Sequence, residues 1–113
     1  RRSKLAGERI SIDGNSPTLC DALMAKTPGE ITWSINSETV DDYLVVSEDD
    51  IAHAVSYAFR YLKLVVEPGG AAALAALLGN KLEVAGETVG LVLSGGNMDA
   101  QTLHLCLQQY PTV

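Results

Sequence analysis

A serine that follows an apolar run and precedes two glycines and an amide is the strongest chemical signal in the chain: residues 91–99 read LVLSGGNMD. Ser94 can donate and accept a hydrogen bond, Gly95 and Gly96 allow main chain to approach a ligand, and Asn97 can cap a following helix. Residues 88–93 are apolar and β-branched enough to predict an interior strand of a parallel sheet. Such sheets hold ligands beyond the carboxyl ends of their strands, which is where Ser94 falls. On local chemistry alone, a strand-SGGN-helix turn serves equally well as a tight connection or as a ligand site. It has neither the GxGxxG spacing of a dinucleotide loop nor the GK[ST] of a phosphate loop.

Glu67-Pro68-Gly69-Gly70 is a second glycine-rich helix start. Its carboxylate either caps the helix or is directed into a cleft, and beside Val65 and Val66 it needs a partner in both cases. The acids Glu38, Asp41, Asp42, Glu48, Asp49 and Asp50 lack calcium-loop spacing and read as a solvated face and a helix cap. His53 lies opposite the apolar stripe of its helix and His104 lies beside Leu103, so both are expected at the surface without a catalytic partner. Lys4, Lys26, Lys63 and Lys81 would be nucleophilic amines only if desolvated, and no segment guarantees that. Cys20 and Cys106 form no CxxC pair and fit reduced thiols. No catalytic nucleophile and no metal site are predicted.

These candidates must be positioned by one small domain, since 113 residues allow one core at most. Apolar residues make up 47% and aromatics 5%, so the interior is filled by Ala, Val, Leu and Ile with close helix packing. The formal charge of -6 argues against a phosphate backbone as ligand, and no nucleic acid partner is expected. The basic residues Arg1, Arg2 and Lys4 are followed by no long apolar stretch, so neither a secretory signal nor a membrane span is expected, and a cytoplasmic setting is. A chain that opens on Arg1 without methionine also reads as a fragment.

Residues 8–12 alternate apolar and polar side chains and predict a short strand or arm entering a turn at Asp13-Gly14-Asn15. Ser16-Pro17 predicts a helix start with Leu19, Leu23 and Met24 on its apolar face, and Thr27-Pro28 a second one with Glu30 in its first turn and Ile31, Trp33 and Ile35 beyond. Residues 43–46, YLVV, predict a strand. Ser47-Glu48-Asp49-Asp50 is a capping box, and Ile51, Val55, Ala58, Phe59 and Leu62 then recur on one helical face. After residues 64–66 break that period, Pro68 opens an Ala/Leu-rich helix that Gly79 terminates. The last helix starts near Asp99 and carries Leu103, Cys106, Leu107 and Tyr110 on one side. This order predicts an α/β fold: a partial three-layer sandwich, a few-stranded sheet with helices. Sheets have about five strands, so more chain or a partner subunit must complete the core.

Together, LKLVVEPGGAAALAALL at residues 62–78 and LVLSGGNMD at residues 91–99 resemble the C-terminal part of the threonine dehydratase and serine racemase family, the fold-type II pyridoxal phosphate enzymes. PTLCDAL at residues 17–23, TPGEITWSI at residues 27–35 and VDDYLVVSEDDI at residues 40–51 extend the resemblance over nearly the whole chain. It implies that residues 1–113 form a single partial domain matching the C-terminal part of the large domain. It also implies a cofactor-binding set of Ser94, Gly95, Glu67 and Asp21: Ser94 on the pyridine nitrogen, Glu67 near the ring, Asp21 near the cleft. A hydroxyl suits a largely unprotonated nitrogen because it can donate to it without imposing a charge.

Ala22 stands where a glycine usually follows the aspartate, and Ser34 where proline is common, which alters the neighbouring turns. The family's Schiff-base lysine motif, SFKxRG-like, and its phosphate-holding glycine loop are both missing from this sequence. The resemblance therefore implies the C-terminal segment of a serine or threonine dehydratase (ammonia-lyase) or racemase, inactive alone and without tight cofactor binding alone. Its partner would be a complementary N-terminal half or a second copy in a dimer, and its parent's substrate a hydroxyamino acid. The alternative is a stand-alone truncated relative that self-associates as a non-catalytic binding module.

Overall fold

Helix α3, Glu48–Tyr57, is the element on which the C-terminal helices pack. Its start follows from the capping box: the Asp50 N–H donates to Ser47 Oγ at 3.1 Å and the Ser47 N–H to Asp50 Oδ2 at 2.8 Å. The computed structural model describes residues 1–112, and Val113, the end of the expected single domain, lies outside the described residues. Ile51, Ala52, Ala54, Val55 and Ser56 are buried. The helix then widens into a π turn, Ala58–Leu62, which ends on Lys63 at φ 61. The wider winding rotates the residues after Ala58 off the buried stripe. Phe59 and Leu62, expected in the core, are 39% and 43% exposed.

Pro68 opens a single 3-10 turn, Gly69–Ala71, that runs into helix α4, Ala72–Leu78. Ala71, Leu74 and Ala75 meet Ala54, Val55 and Ala58 in one cluster, where small side chains let helices approach closely. The helix stops at Gly79 as expected, at φ -79; the left-handed residue is Asn80 at φ 50. Gly79 is needed for space, since a Cβ there would lie 2.9 Å from Asp50 Oδ1. Lys81 Nζ completes that corner 3.0 Å from Asp50 Oδ2. The Ser47 main-chain N–H, first, and the Lys81 and Ser47 side chains hold the Asp50 carboxyl down at about 2.

Helix α5, Ala100–Gln109, buries Cys106 against the same cluster. Its cap is Asp99, whose Oδ1 accepts from Thr102 N at 2.9 Å, so the cap expected from Asn97 is corrected: Asn97 is engaged elsewhere. The far end is tied to α3 and its π turn, with Ser56 Oγ and Arg60 Nε donating to the Tyr110 carbonyl at 2.7 and 3.2 Å. His53, expected at the surface, is half-buried with its ring centroid 5.0 Å from that of Tyr110. A hydrogen bond to Asp49 pushes the Tyr110 phenol up to about 12.

The N-terminal part is held more loosely. Helix α1, Arg2–Ala6, is linked to helix α2, Glu30–Thr39, by Lys4 Nζ donating to the Ser37 carbonyl at 2.6 Å. Helix α2 starts where Thr27-Pro28 and Glu30 place it. The helix expected from Ser16-Pro17 is a correction: only a 3-10 turn, Asp21–Leu23, forms. Thr18 Oγ1 accepts from Cys20 N at 3.0 Å, the local side-chain bond by which Ser and Thr compete with helical pairing.

The larger correction concerns the sheet. Among the described residues there are helices and no strands, so residues 8–12, 43–46 and 88–93 form no ladder. Helices satisfy their main chain internally, whereas a strand needs a neighbour for its N–H and C=O groups. The extended segments leave Leu44, Val45, Leu91 and Val92 exposed, Val92 at 76%. The molecule is correspondingly flat, only 18 Å through its thinnest direction, with a radius of gyration of 15.0 Å against roughly 13 Å for a compact chain of this length. Of the α/β layering anticipated from the sequence, the described residues show helices alone.

Candidate functional site

The turn at Glu67 crosses the turn at Ser94, and the crossing is close enough to dictate its residues. The Glu67 N–H donates to the Gly95 carbonyl at 3.0 Å, and Asn97 N donates to Glu67 Oε2 at 3.1 Å. A Cβ on Gly70 would lie 2.8 Å from both Gly95 N and Gly95 O, and one on Gly96 2.9 Å from the Val65 carbonyl oxygen. A Cβ on Gly95 would overlap Glu67 Oε1 outright. These glycines are needed for contact, since none of the three has a positive φ.

Pro68 and Gly70 are buried, Glu67 and Gly95 half-buried, and Ser94 exposed. The Ser94 hydroxyl makes no hydrogen bond to the described residues, so its donor and both lone pairs are available. Three of the expected site residues, Ser94, Gly95 and Glu67, are thus brought together. Asp21 is not bonded to them: it is exposed, and its carbonyl accepts from Met24 N at 3.4 Å. Its turn nevertheless reaches the same crossing through Leu23, whose Cγ would lie 3.2 Å from a Cβ on Gly69.

Glu48 is a residue the local pattern misses. It does more than join a solvated cap: Oε1 accepts from Thr18 Oγ1 at 2.6 Å and Oε2 from Leu19 N at 2.7 Å. It thereby fastens the stretch of main chain that leads to Asp21 onto the start of α3. No spacing around Glu48 indicates a partner so far upstream. Burial, first, and the Glu48 carboxylate push the nearby Cys20 thiol up, which makes it a poor nucleophile. Lys4 and Lys81 are engaged with the Ser37 carbonyl and Asp50, and Lys63 with the Arg60 carbonyl. Among the described residues, no group of three His, Cys, Asp or Glu side chains could hold a metal, and no helix is long and apolar enough to cross a membrane.

Residues 1–95, a span that contains Asp21, Glu67, Ser94 and Gly95, match the pyridoxal-phosphate dependent enzyme family. The chain belongs to this family. It is 40% identical over 97 residues to L-threonine ammonia-lyase of Thermotoga maritima, covering 86% of this chain and 24% of that protein. It is 36% identical over 107 residues to serine racemase of Arabidopsis thaliana, covering 90% of this chain and 32% of the relative. The solved structure of maize serine racemase superposes with a TM-score of 0.79 at 35% identity, covering 97% of this chain and 34% of that one. These neighbours are fold-type II enzymes, an α/β class. The chain spans between a quarter and about a third of the length of these relatives.

Proposed function

We propose that this chain is the C-terminal segment of a pyridoxal phosphate-dependent serine or threonine ammonia-lyase or racemase, and that it supplies the contact to the cofactor's pyridine nitrogen. The observation that carries this reading is the unpaired, exposed Ser94 hydroxyl on a turn fixed by Glu67 and three glycines. The donor set fits the group at that end: a hydroxyl can donate to a neutral ring nitrogen, and no carboxylate is bonded to Ser94 to force a charge on it. The lysine and phosphate loop of the family are not in the sequence, so the chain furnishes one end of the cofactor site.

When bound, pyridoxal phosphate supplies an electron sink for the substrate's α-carbon. Ser94 would hold the ring through its nitrogen. Gly95 admits the Glu67 carboxylate against its Cα, and so lets the turn that carries Ser94 be held from the protein side. Asp21, on a turn that reaches Gly69 through Leu23, would stand near the cleft. The reaction class and the hydroxyamino acid substrate rest on likeness to the threonine ammonia-lyase and the serine racemases.

Mixing the chain with the complementary, lysine-bearing part of a relative and pyridoxal phosphate tests this. A bound-cofactor absorbance band is expected, with ammonia and a 2-oxo acid formed from serine or threonine, or the opposite enantiomer of serine. A folded complex without such a band overturns the reading. Replacing Ser94→Ala should lower cofactor affinity about 10-fold, the worth of one hydrogen bond of roughly 1.4 kcal/mol.

A second reading is favoured by the exposed Leu44, Val45, Leu91 and Val92: a self-associating, non-catalytic module whose second copy covers those segments. Sedimentation separates the two, because a stable dimer that refuses the complementary segment supports the module.

A further inference from the structure

Glu67 has two different jobs open to it, and the crossing of the turns decides between them. A carboxylate beside a cofactor could address the ring, or it could be spent on the protein. Here Oε2 already accepts the Asn97 N–H at 3.1 Å, and Oε1 lies over the Cα of Gly95 so closely that no side chain fits there. The Glu67 main-chain N–H holds the Gly95 carbonyl at 3.0 Å, so backbone and side chain of one residue grip the turn on both sides of Gly96. Within the turn, only the Met98 N–H donating to the Gly96 carbonyl at 2.8 Å adds a local bond. The segment before it has no ladder to hold it in place.

We infer that Glu67 is a positioning residue, whose carboxylate fixes the 94–97 turn through Asn97 N and Gly95 and so presents the Ser94 hydroxyl to a neutral heteroaromatic nitrogen. This rests on the reading of Ser94 as the nitrogen contact. A charged acceptor strengthens such a bond over a neutral one, and its length is specific. Asp, one methylene shorter, cannot keep the Oε2 contact from the same main chain. Gln keeps the reach and an acceptor while losing the charge.

Nitrogen-15 NMR on the full chain tests this without any cofactor. The Asn97 amide should exchange with solvent at least about 10-fold more slowly than in unstructured chain. In Glu67→Gln that protection should persist and the Ser94 and Gly95 resonances should stay near their original positions; in Glu67→Ala and Glu67→Asp the protection should fall and those resonances should shift. Thr102, whose N–H is held by Asp99, should be unchanged in every variant, reporting that the helical layer is intact.

An Asn97 amide that exchanges as freely as unstructured chain overturns the inference, as do unmoved Ser94 and Gly95 resonances in Glu67→Ala. The exchange rate in the unmodified chain needs no variant, so it decides the matter even if Glu67→Ala does not fold. A complex with the complementary segment that binds no cofactor while Asn97 stays protected would instead count against the nitrogen contact of Ser94 alone.

Discussion

Two valines show how differently the halves of this molecule are finished. Val55 on α3 is 1% exposed and Val92, just before the Ser94 turn, is 76% exposed. The first belongs to a helical layer in which α3, α4 and α5 pack around Ile51, Ala54, Ala75 and Cys106 and close on themselves. The second belongs to an extended segment with no neighbouring strand among the described residues. Helices complete their own hydrogen bonds and need only one face covered, so a short piece of chain can finish them. Extended segments need partners on both edges and both faces. The turn at Ser94 sits at the boundary, anchored from the helical side by Glu67 and Gly70.

The contrast predicts a steep gradient of mutational cost. Ile51→Ala, in the closed layer, should destabilise by about 2–5 kcal/mol, read as a lowered urea midpoint by circular dichroism. A cost under about 1 kcal/mol would mean the layer is not tightly packed. At the boundary, Gly95→Ala should cost about 1–3 kcal/mol as overpacking against Glu67, and should displace the Asn97 amide resonance while leaving that of Thr102.

Ser47→Ala should cost about 1 kcal/mol, the typical worth of an N-cap, in the same denaturant titration. The cap also gives an acid limb with a definite sign. The Asp50 carboxyl is held at about 2 against an ordinary 3.8, chiefly by the Ser47 N–H, so the unfolded chain binds the extra proton between those values. Stability from Asp50 is therefore full above the ordinary value and fades as pH falls toward 2. Asp50→Asn should flatten that part of the stability-pH curve, and an unchanged acid limb would show that the corner with Ser47 and Lys81 is not formed.

The smallest effect belongs to the open side. Val92→Ala should change the stability of the chain alone by less than about 0.5 kcal/mol. The same substitution should weaken association with a complementary segment, measured by titration calorimetry, if that segment covers residues 88–93. Equal costs for Ile51→Ala and Val92→Ala would erase the contrast altogether.

Local signals are legible wherever the physics is local. Ser47-Glu48-Asp49-Asp50 forms the capping box it spells, Thr27-Pro28 and Glu30 mark the start of α2, and the Ala/Leu run from Ala71 buries Ala71, Leu74 and Ala75. Phe59 and Leu62 leave the core because a π turn shifts the face, which a regular period cannot anticipate. Asn97 has the residue type of a cap, yet Asp99 does the capping and the Asn97 N–H answers to Glu67. Glu48 is invisible as an anchor because its partners, Thr18 and Leu19, are distant in sequence.

The sequence by itself determined the starts of α2, α3 and α5, the Ser47 cap, the family and the pairing of an EPGG turn with an SGGN turn, because those depend on residue type and short spacing; α1 and the Asp99 cap it did not show. Only the tertiary structure decided that the two turns cross in contact, that Gly70, Gly95 and Gly96 are demanded by space, and that Glu67 is spent on the main chain. It also decided that residues 88–93, strand-like in composition, stand without a strand beside them. The reason is the same in each case: close approach and strand pairing are properties of two segments together, and neither is written in one of them.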